Sequence, residues 1–139
     1  MILRKATNKD LNGCVKISHI PEFSFLHKIS DKKAKEYLSS YIKKGILIVA
    51  EEKKEIIGFI SGEFMLGNVL WIDAITIKKE MRGRGLGKKL FNEFRKQCKK
   101  KKIKSVYLMA PKFNKNTVKF YESIGMKKGK DFIEFTEDL

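Results

Sequence analysis

Cysteine, proline, histidine and tryptophan are all scarce in this 139-residue chain, which has two Cys, two Pro, two His and one Trp. Two cysteines, Cys14 and Cys98, cannot build a disulfide framework. Neither has Cys or His neighbours at zinc spacing, so no metal is expected. Such cysteine usage fits a reducing compartment, and the expected location is cytoplasmic. No apolar run approaches the roughly 20 residues of a membrane span, so no membrane partner is expected. The start, Met1-Ile2-Leu3-Arg4-Lys5, lacks the apolar stretch of a signal peptide. Pro21 and Pro111 fall in loops, and neither a linker-like stretch nor an internal repeat divides the chain. Length and continuity predict one domain over residues 1–139. What is present is apolar residue content of 42%, which excludes a disordered chain.

Acids are also in deficit, 16 against 31 lysines and arginines, for a net charge of +15. Such a balance invites a nucleic-acid reading. The lysines are scattered along most of the chain, however, and no nucleic-acid motif accompanies them. They read mainly as solvated surface, and nucleic acid is not the expected partner. One dense run stands out: Arg95, Lys96, Lys99, Lys100, Lys101, Lys102 and Lys104. Cations suit a helix C-terminus, and a counter-charge role for a phosphate, a nucleic acid or an acidic protein stays open.

Periodicity predicts a mixed α/β order of β-α-α-β-β-β-α-β-α-β. Met1 to Lys5 reads as a strand, and Thr7 or Asn8 caps a helix carrying Leu11, Val15 and Ile17. Ile20 to Ile29 reads as a loop. Ser30 or Asp31 caps a second helix with Ala34, Tyr37, Leu38, Tyr41 and Ile42 on its apolar face, ending at Gly45. Ile46–Glu51 and Glu55–Phe64 form an antiparallel hairpin around Glu52-Lys53-Lys54. After a turn at Gly67-Asn68, Val69–Ile77 is apolar on both faces, as a central strand is. A helix with Leu86, Leu90, Phe91, Phe94 and Cys98 on one stripe precedes a strand over Ser105–Ala110. Asn114 or Asn116 caps a last helix stopped by Gly125, and Lys127–Thr136 reads as extended. The β-α-β unit in the middle predicts a parallel, right-handed crossover, and the hairpins make the rest antiparallel, with helices on both faces.

The sharpest local signal is Arg82-Gly83-Arg84-Gly85-Leu86-Gly87 between a strand and a helix. Glycines allow a tight turn and close approach of a ligand to the backbone. Free N–H groups at the helix start, the helix dipole and two arginines all favour a phosphate or pyrophosphate. A P-loop would need Ser or Thr where Lys89 stands, and a dinucleotide fingerprint would need glycine at Lys88. The pattern Arg-x-x-Gly-x-Gly, met by Arg82, Gly85 and Gly87, remains.

That loop resembles the acyl-CoA pyrophosphate loop of the GCN5-related N-acetyltransferase superfamily. The resemblance runs nearly end to end. Ile2-Leu3-Arg4-Lys5-Ala6-Thr7 with Asp10-Leu11 is similar to the family's opening, and Ile72-Asp73-Ala74-Ile75-Thr76-Ile77 to its central strand. Asn114 to Met126 resembles Asn-x-x-Ala-x-x-x-Tyr-x-x-x-Gly-Phe, with Asn114, Tyr121 and Gly125 matching and Thr117 and Met126 departing. The resemblance implies a mixed sheet that splays open between the strands ending near Ile77 and Ala110, with acetyl-CoA as acyl donor. Its pantetheine amides would pair with main chain around Ile75, Thr76 and Ile77. Its pyrophosphate would sit on the N–H groups of Arg82, Gly83, Arg84, Gly85, Leu86, Gly87 and Lys88, and Asn114 would contact the cofactor arm.

N-acetylation needs a base for the ammonium, a donor for the oxyanion and an acid for the leaving thiolate. Tyr121 matches the family's general acid. Asp73 is the one acid in an otherwise apolar strand and the best base candidate, with ammonium binding as its other reading. Ribosomal-protein acetyltransferases of the family carry a glutamate where this chain has Met109, which shifts weight to Asp73 or a bound water. Polyamine acetyltransferases resemble the Asp73 region, but a +15 surface disfavours a polycation. His27 lies with Phe23 and Phe25 in the Ile20 to Ile29 loop, where the family's acceptor site is usually formed; His19 and His27 read as surface or packing residues, and Phe23 and Phe25 as pocket lining or core. Cys14, Cys98 and Trp71 read as packing residues. The expected activity is direct acetyl transfer to a primary amine of a peptide or small molecule in a ternary complex. The alternatives are a CoA-binding regulator on the same fold and a basic nucleic-acid-binding module. The family's habit of pairing leaves a homodimer open.

Overall fold

The computed structural model describes residues 1–18 and 29–139. They fall into two compact units, Met1–Leu108 and Met109–Leu139. The expected loop at Ile20–Ile29, with Phe23, Phe25 and His27, lies outside the described residues apart from Ile29, as does His19.

The first unit is built on a five-stranded sheet in chain order: β1 (Ile2–Lys5), β2 (Gly45–Glu52), β3 (Glu55–Phe64), β4 (Val69–Ile77) and β5 (Ser105–Tyr107). β1 to β4 are antiparallel neighbours, and β5 runs parallel to β4. The helices are α1 (Leu11–Ile17), α2 (Asp31–Lys44) and α3 (Leu86–Lys100). The fold is therefore the mixed α/β sheet the periodicity predicts, with its one parallel pair across the β4–α3–β5 crossover.

β2 shows why both faces are covered. Ile46, Leu47, Ile48, Val49 and Ala50 are all buried, although successive side chains point to opposite faces. Leu47, Val49 and Phe59 join Leu11, Cys14 and Val15 of α1 and Leu38 and Tyr41 of α2 in one cluster. On the opposite face α3 packs its stripe: Leu86, Leu90, Phe91, Phe94 and Cys98 are all buried. A Cβ at Gly58 would stand 3.1 Å from Leu90 Cδ1, and one at Gly62 2.9 Å from Phe94 Cζ. The helix therefore lies directly on β3. Burial pushes the Cys14 thiol up to about 12 and the Cys98 thiol to about 11, as fits packing residues rather than nucleophiles.

The start of α1 is pinned electrostatically. Asp10 closes a capping box with Thr7, whose N–H donates to Oδ2 at 2.7 Å. Arg4 grips the same carboxylate with both Nη atoms, at 2.8 and 2.9 Å, and reaches Glu51 on β2. The Arg4 guanidinium, more than the opposing burial, holds Asp10 down at about 2. A depressed folded pKa adds stability above the unfolded value near 4, lost as pH falls through 4 to 2. Acid unfolding followed by circular dichroism is expected to lose this contribution over that window in the wild type but not in Arg4→Met, which lacks it throughout.

Three expectations change. Tyr37, assigned to the apolar face of α2, is 51% exposed and meets Tyr41 edge-on, with ring centroids 5.4 Å apart. The strand expected over Ser105–Ala110 stops at Tyr107. Lys127–Thr136 forms no strand, and Phe132, Ile133 and Phe135 stand 79–89% exposed. Extended chain becomes a strand only when a ladder satisfies its backbone groups, and none of the sheet's pairings reaches this segment.

The second unit holds α4 (Lys115–Ser123). Asn114 Oδ1 accepts from Thr117 N–H at 3.1 Å as its N-cap. Gly125, at φ +88°, ends it; Met126 N–H donates to Tyr121 O at 3.0 Å, closing a Schellman turn.

Candidate active site

The β4–β5 ladder is short. It pairs Val69, Leu70 and Trp71 with Ser105, Val106 and Tyr107, while β4 runs on to Ile77. Along Ile72–Ile77 the β5 side of β4 has no strand against it among the described residues. This stretch is an open edge on the β5 side of the sheet, and it carries Ile75, Thr76 and Ile77, the three residues assigned to the cofactor arm. Their outward main-chain N–H and C=O groups can form a ladder with an extended amide ligand.

The register also breaks on β4's other side. Ser61 pairs with Ala74 and Gly62 with Ile72, so Asp73 is the extra residue of a β-bulge. The bulge explains how one acid fits an apolar strand: it takes Asp73 out of the strict alternation. The carboxyl interacts with the Tyr41 hydroxyl of α2, which belongs to the α1–α2 core cluster, so it lies on that face of the sheet. Burial pushes its pKa up to about 6; Tyr41 opposes the shift and Glu63 adds to it. An acid held near 6 is ionised at neutral pH and still basic enough to accept a proton.

Beyond Ile77 comes the glycine loop. Gly83 and Gly85 sit at φ +76° and +73°, in the left-handed region that any other residue would strain to adopt. Gly85 is the N-cap of α3, and no side chain caps the helix start. The first N–H groups, from Leu86, Gly87 and Lys88, thus lack intrahelical acceptors, and no acid lies in the first turn to compete with an anion. Arg82 is exposed but folds back along its own loop: Nε donates to Ile77 O at 3.1 Å. It braces the loop against the end of β4. Arg84, Lys88 and Lys89 are exposed around the helix start. Lys78 is engaged elsewhere, by Glu55 and Glu80, both at 3.1 Å.

In the second unit, Tyr121 sits half-buried on α4, with the Phe120 ring edge-on at 5.2 Å. The Asn114 side chain caps α4, a structural duty that sequence matching to a cofactor-contact position does not reveal. Met109 is 57% exposed. Sequence reasoning missed Tyr41 and Ser61, both buried with unpaired hydroxyls. The usable signal for Tyr41 was a phenol on the apolar stripe of α2, where it reads as core.

The Acetyltransferase (GNAT) family model matches residues 14–126 of the chain. The chain belongs to the GNAT acetyltransferase family. A search of curated proteins returns no match. Among solved structures, the aminoglycoside N-acetyltransferase AAC(6')-Iy in complex with CoA superposes with a TM-score of 0.83 at 13% identity, covering 99% of this chain and 95% of that one. PaiA N-acetyltransferase from Thermoplasma acidophilum in complex with coenzyme A gives 0.77 at 22% identity, covering 94% and 92%. Ribosomal-protein-alanine N-acetyltransferase from Brucella melitensis gives 0.78 at 18%, covering 90% and 83%. These likenesses establish the shared fold.

Arg95 stacks over the Phe91 ring at 4.6 Å, and Lys96 pairs with Glu93 at 3.7 Å. Lys99 to Lys102 and Lys104 are exposed at the C-terminal end of α3, where positive charge offsets the helix dipole. Among the described residues no helix is long and apolar enough to cross a membrane.

Proposed function

We propose that this protein transfers an acetyl group from acetyl-CoA to a primary amine by direct attack in a ternary complex. The observation that carries the reading is the open edge of β4, which runs from the Asp73 bulge directly into the glycine loop. One continuous stretch, residues 72–88, then offers main-chain partners for the pantetheine amides at Ile75–Ile77. It also offers an anion-binding helix start for the pyrophosphate at Arg82–Lys88. The CoA complexes of two structural neighbours support the same donor. Both compact units act as one domain, residues 1–139, in this reading, since the family match runs through both.

Asp73 accepts the proton of the incoming ammonium, directly or through water, which frees the amine lone pair. A main-chain N–H near Ile75–Ile77 steadies the oxyanion as the amine adds to the thioester carbonyl. The carbon–sulfur bond then breaks as Tyr121 gives its phenolic proton to the departing thiolate, and the second proton that the nitrogen sheds on becoming an amide returns through solvent to the phenolate. The Tyr121 assignment rests on its motif match, and Asn114 is assigned to the cofactor arm on the same ground. The acceptor is an amine of a small molecule or peptide; the net charge of +15 disfavours a polycation.

The test is a free-thiol assay with acetyl-CoA against amines, polyamines, aminoglycosides and peptides. Thiol release with at least one amine is expected, together with a rise in melting temperature on adding acetyl-CoA. Stabilisation without thiol release from any amine would instead support a CoA-binding regulator, and salt-sensitive RNA or DNA binding without either would support the nucleic-acid reading. Tyr121→Phe is expected to lower kcat by about 10²-fold or more with little change in acetyl-CoA affinity; unchanged turnover removes Tyr121 from the acid role. Gly85→Val, forced into left-handed backbone at the helix start, is expected to weaken acetyl-CoA binding about tenfold or more by isothermal titration.

A further inference from the structure

Four buried side-chain oxygens in the first unit have no hydrogen-bond partner among the described residues: Tyr41 Oη, Ser61 Oγ, Asp73 Oδ2 and Thr76 Oγ1. They are not scattered. Ser61 is paired with Ala74, next to the bulged Asp73, and Thr76 is paired with Phe59 on the face that carries the α1–α2 cluster. Tyr41 is 2% exposed and belongs to that cluster. Its hydroxyl and the Asp73 carboxyl act on each other's ionisation. An unpaired buried hydroxyl costs about 1–3 kcal/mol, so three of them on the face that carries one unpaired carboxylate oxygen call for a common purpose.

We propose that Tyr41 is the positioning residue for Asp73: its buried, otherwise unpartnered hydroxyl, with Ser61 beside the bulge, is available to donate to the carboxylate and so to keep it ionised and oriented for the incoming amine. The inference rests on the reading of Asp73 as base and deepens it. Tyr41 is suited to the task. Burial, then the neighbouring Tyr37, push its own pKa far above the usual phenol range, so it stays a donor at every working pH. A donor favours the charged form of a carboxylate, against the burial and the Glu63 charge that disfavour it. The groups acting on Asp73 are thus Tyr41 from α2, with Tyr37 behind it, and Glu63 from β3, and no cation is among them.

The direction of the effect follows. Removing the Tyr41 hydroxyl leaves burial and Glu63 unopposed, so the Asp73 pKa rises. The experiment is a carboxyl ¹³C NMR titration of the full chain in wild type, Tyr41→Phe and Ser61→Ala, paired with pH profiles of kcat/KM using the amine selected by the thiol assay. In Tyr41→Phe the Asp73 midpoint is expected to rise by about half a pH unit or more, at least about threefold in proton affinity. Ser61→Ala moves it the same way by less, and the acid limb of kcat/KM follows each midpoint. An unmoved Asp73 midpoint in both folded variants overturns the proposal, even if melting temperature drops, since that is what plain packing would give. If Tyr41→Phe does not fold, Ser61→Ala decides alone. A midpoint that moves while the acid limb stays put leaves Tyr41's hold on Asp73 standing and refutes Asp73 as base.

Discussion

Asp73→Asn is expected to lower kcat/KM for acetyl transfer by about 10²–10⁴-fold, the span a positioned proton acceptor contributes. The same change should erase the acid limb expected near pH 6 for the wild type. Asparagine keeps the shape and one acceptor oxygen, so the bulge at Ser61–Gly62 has no steric reason to change. Stability should move the other way. A carboxyl whose folded pKa is raised above the unfolded 3.8 has its favourable contribution below that value, and loses it as pH rises through about 6. Above pH 6 the folded protein therefore carries a half-buried charge it would be more stable without. Thermal melts at pH 7.5 and pH 4.5 check this: Asp73→Asn should melt no lower than wild type at the higher pH and gain least at the lower one. A variant with wild-type kcat/KM and an intact acid limb would exclude Asp73 as base.

Phe94→Ala should be the most damaging change to stability, at about 3–5 kcal/mol. Phe94 is fully buried on the stripe of α3, packed beside Phe91 with ring centroids 6.4 Å apart. Its ring tip fills the space above Gly62 on β3, 2.9 Å from where a Cβ would stand. Alanine leaves a cavity that two rigid partners, a strand backbone and a helix, cannot close. A domain of this size has about 5–15 kcal/mol in total, so the loss is a large share of it. Urea unfolding is expected to show a lower midpoint with an unchanged slope; a loss below about 1 kcal/mol would mean the face relaxes freely. Since α3 also presents its N-terminal N–H groups to the proposed pyrophosphate, loosening this contact should weaken acetyl-CoA binding as well.

Much of this was legible along the chain because local chemistry set it. The stripe Leu86-Leu90-Phe91-Phe94-Cys98 announced α3 and its buried face. Ser30, Asn114, Gly45 and Gly125 marked helix ends, and three of the four carry the capping geometry expected of them. The glycine loop pointed to the proposed anion site, and Gly83 and Gly85 do take the left-handed turns that only glycine adopts without strain. The two main errors share one cause. Tyr107 as the end of β5 and Lys127–Thr136 as a non-strand depend on where a ladder partner is available, and alternation of apolar residues carries no such information.

The sequence by itself carried the family resemblance in its motifs and the order of elements from β1 to α4 in its local periodicity, along with the residue types of the proposed site. Only the tertiary structure decided that Asp73 sits on a bulge, that the β4–β5 ladder stops at Trp71, and that Tyr41 and Ser61 are buried with unpartnered hydroxyls on the face of the α1–α2 cluster. The physical reason is register. A one-residue slip between β3 and β4 turns an acid out of the pleat, and residues far apart in the chain meet there only once those strands are paired and α2 is packed across them.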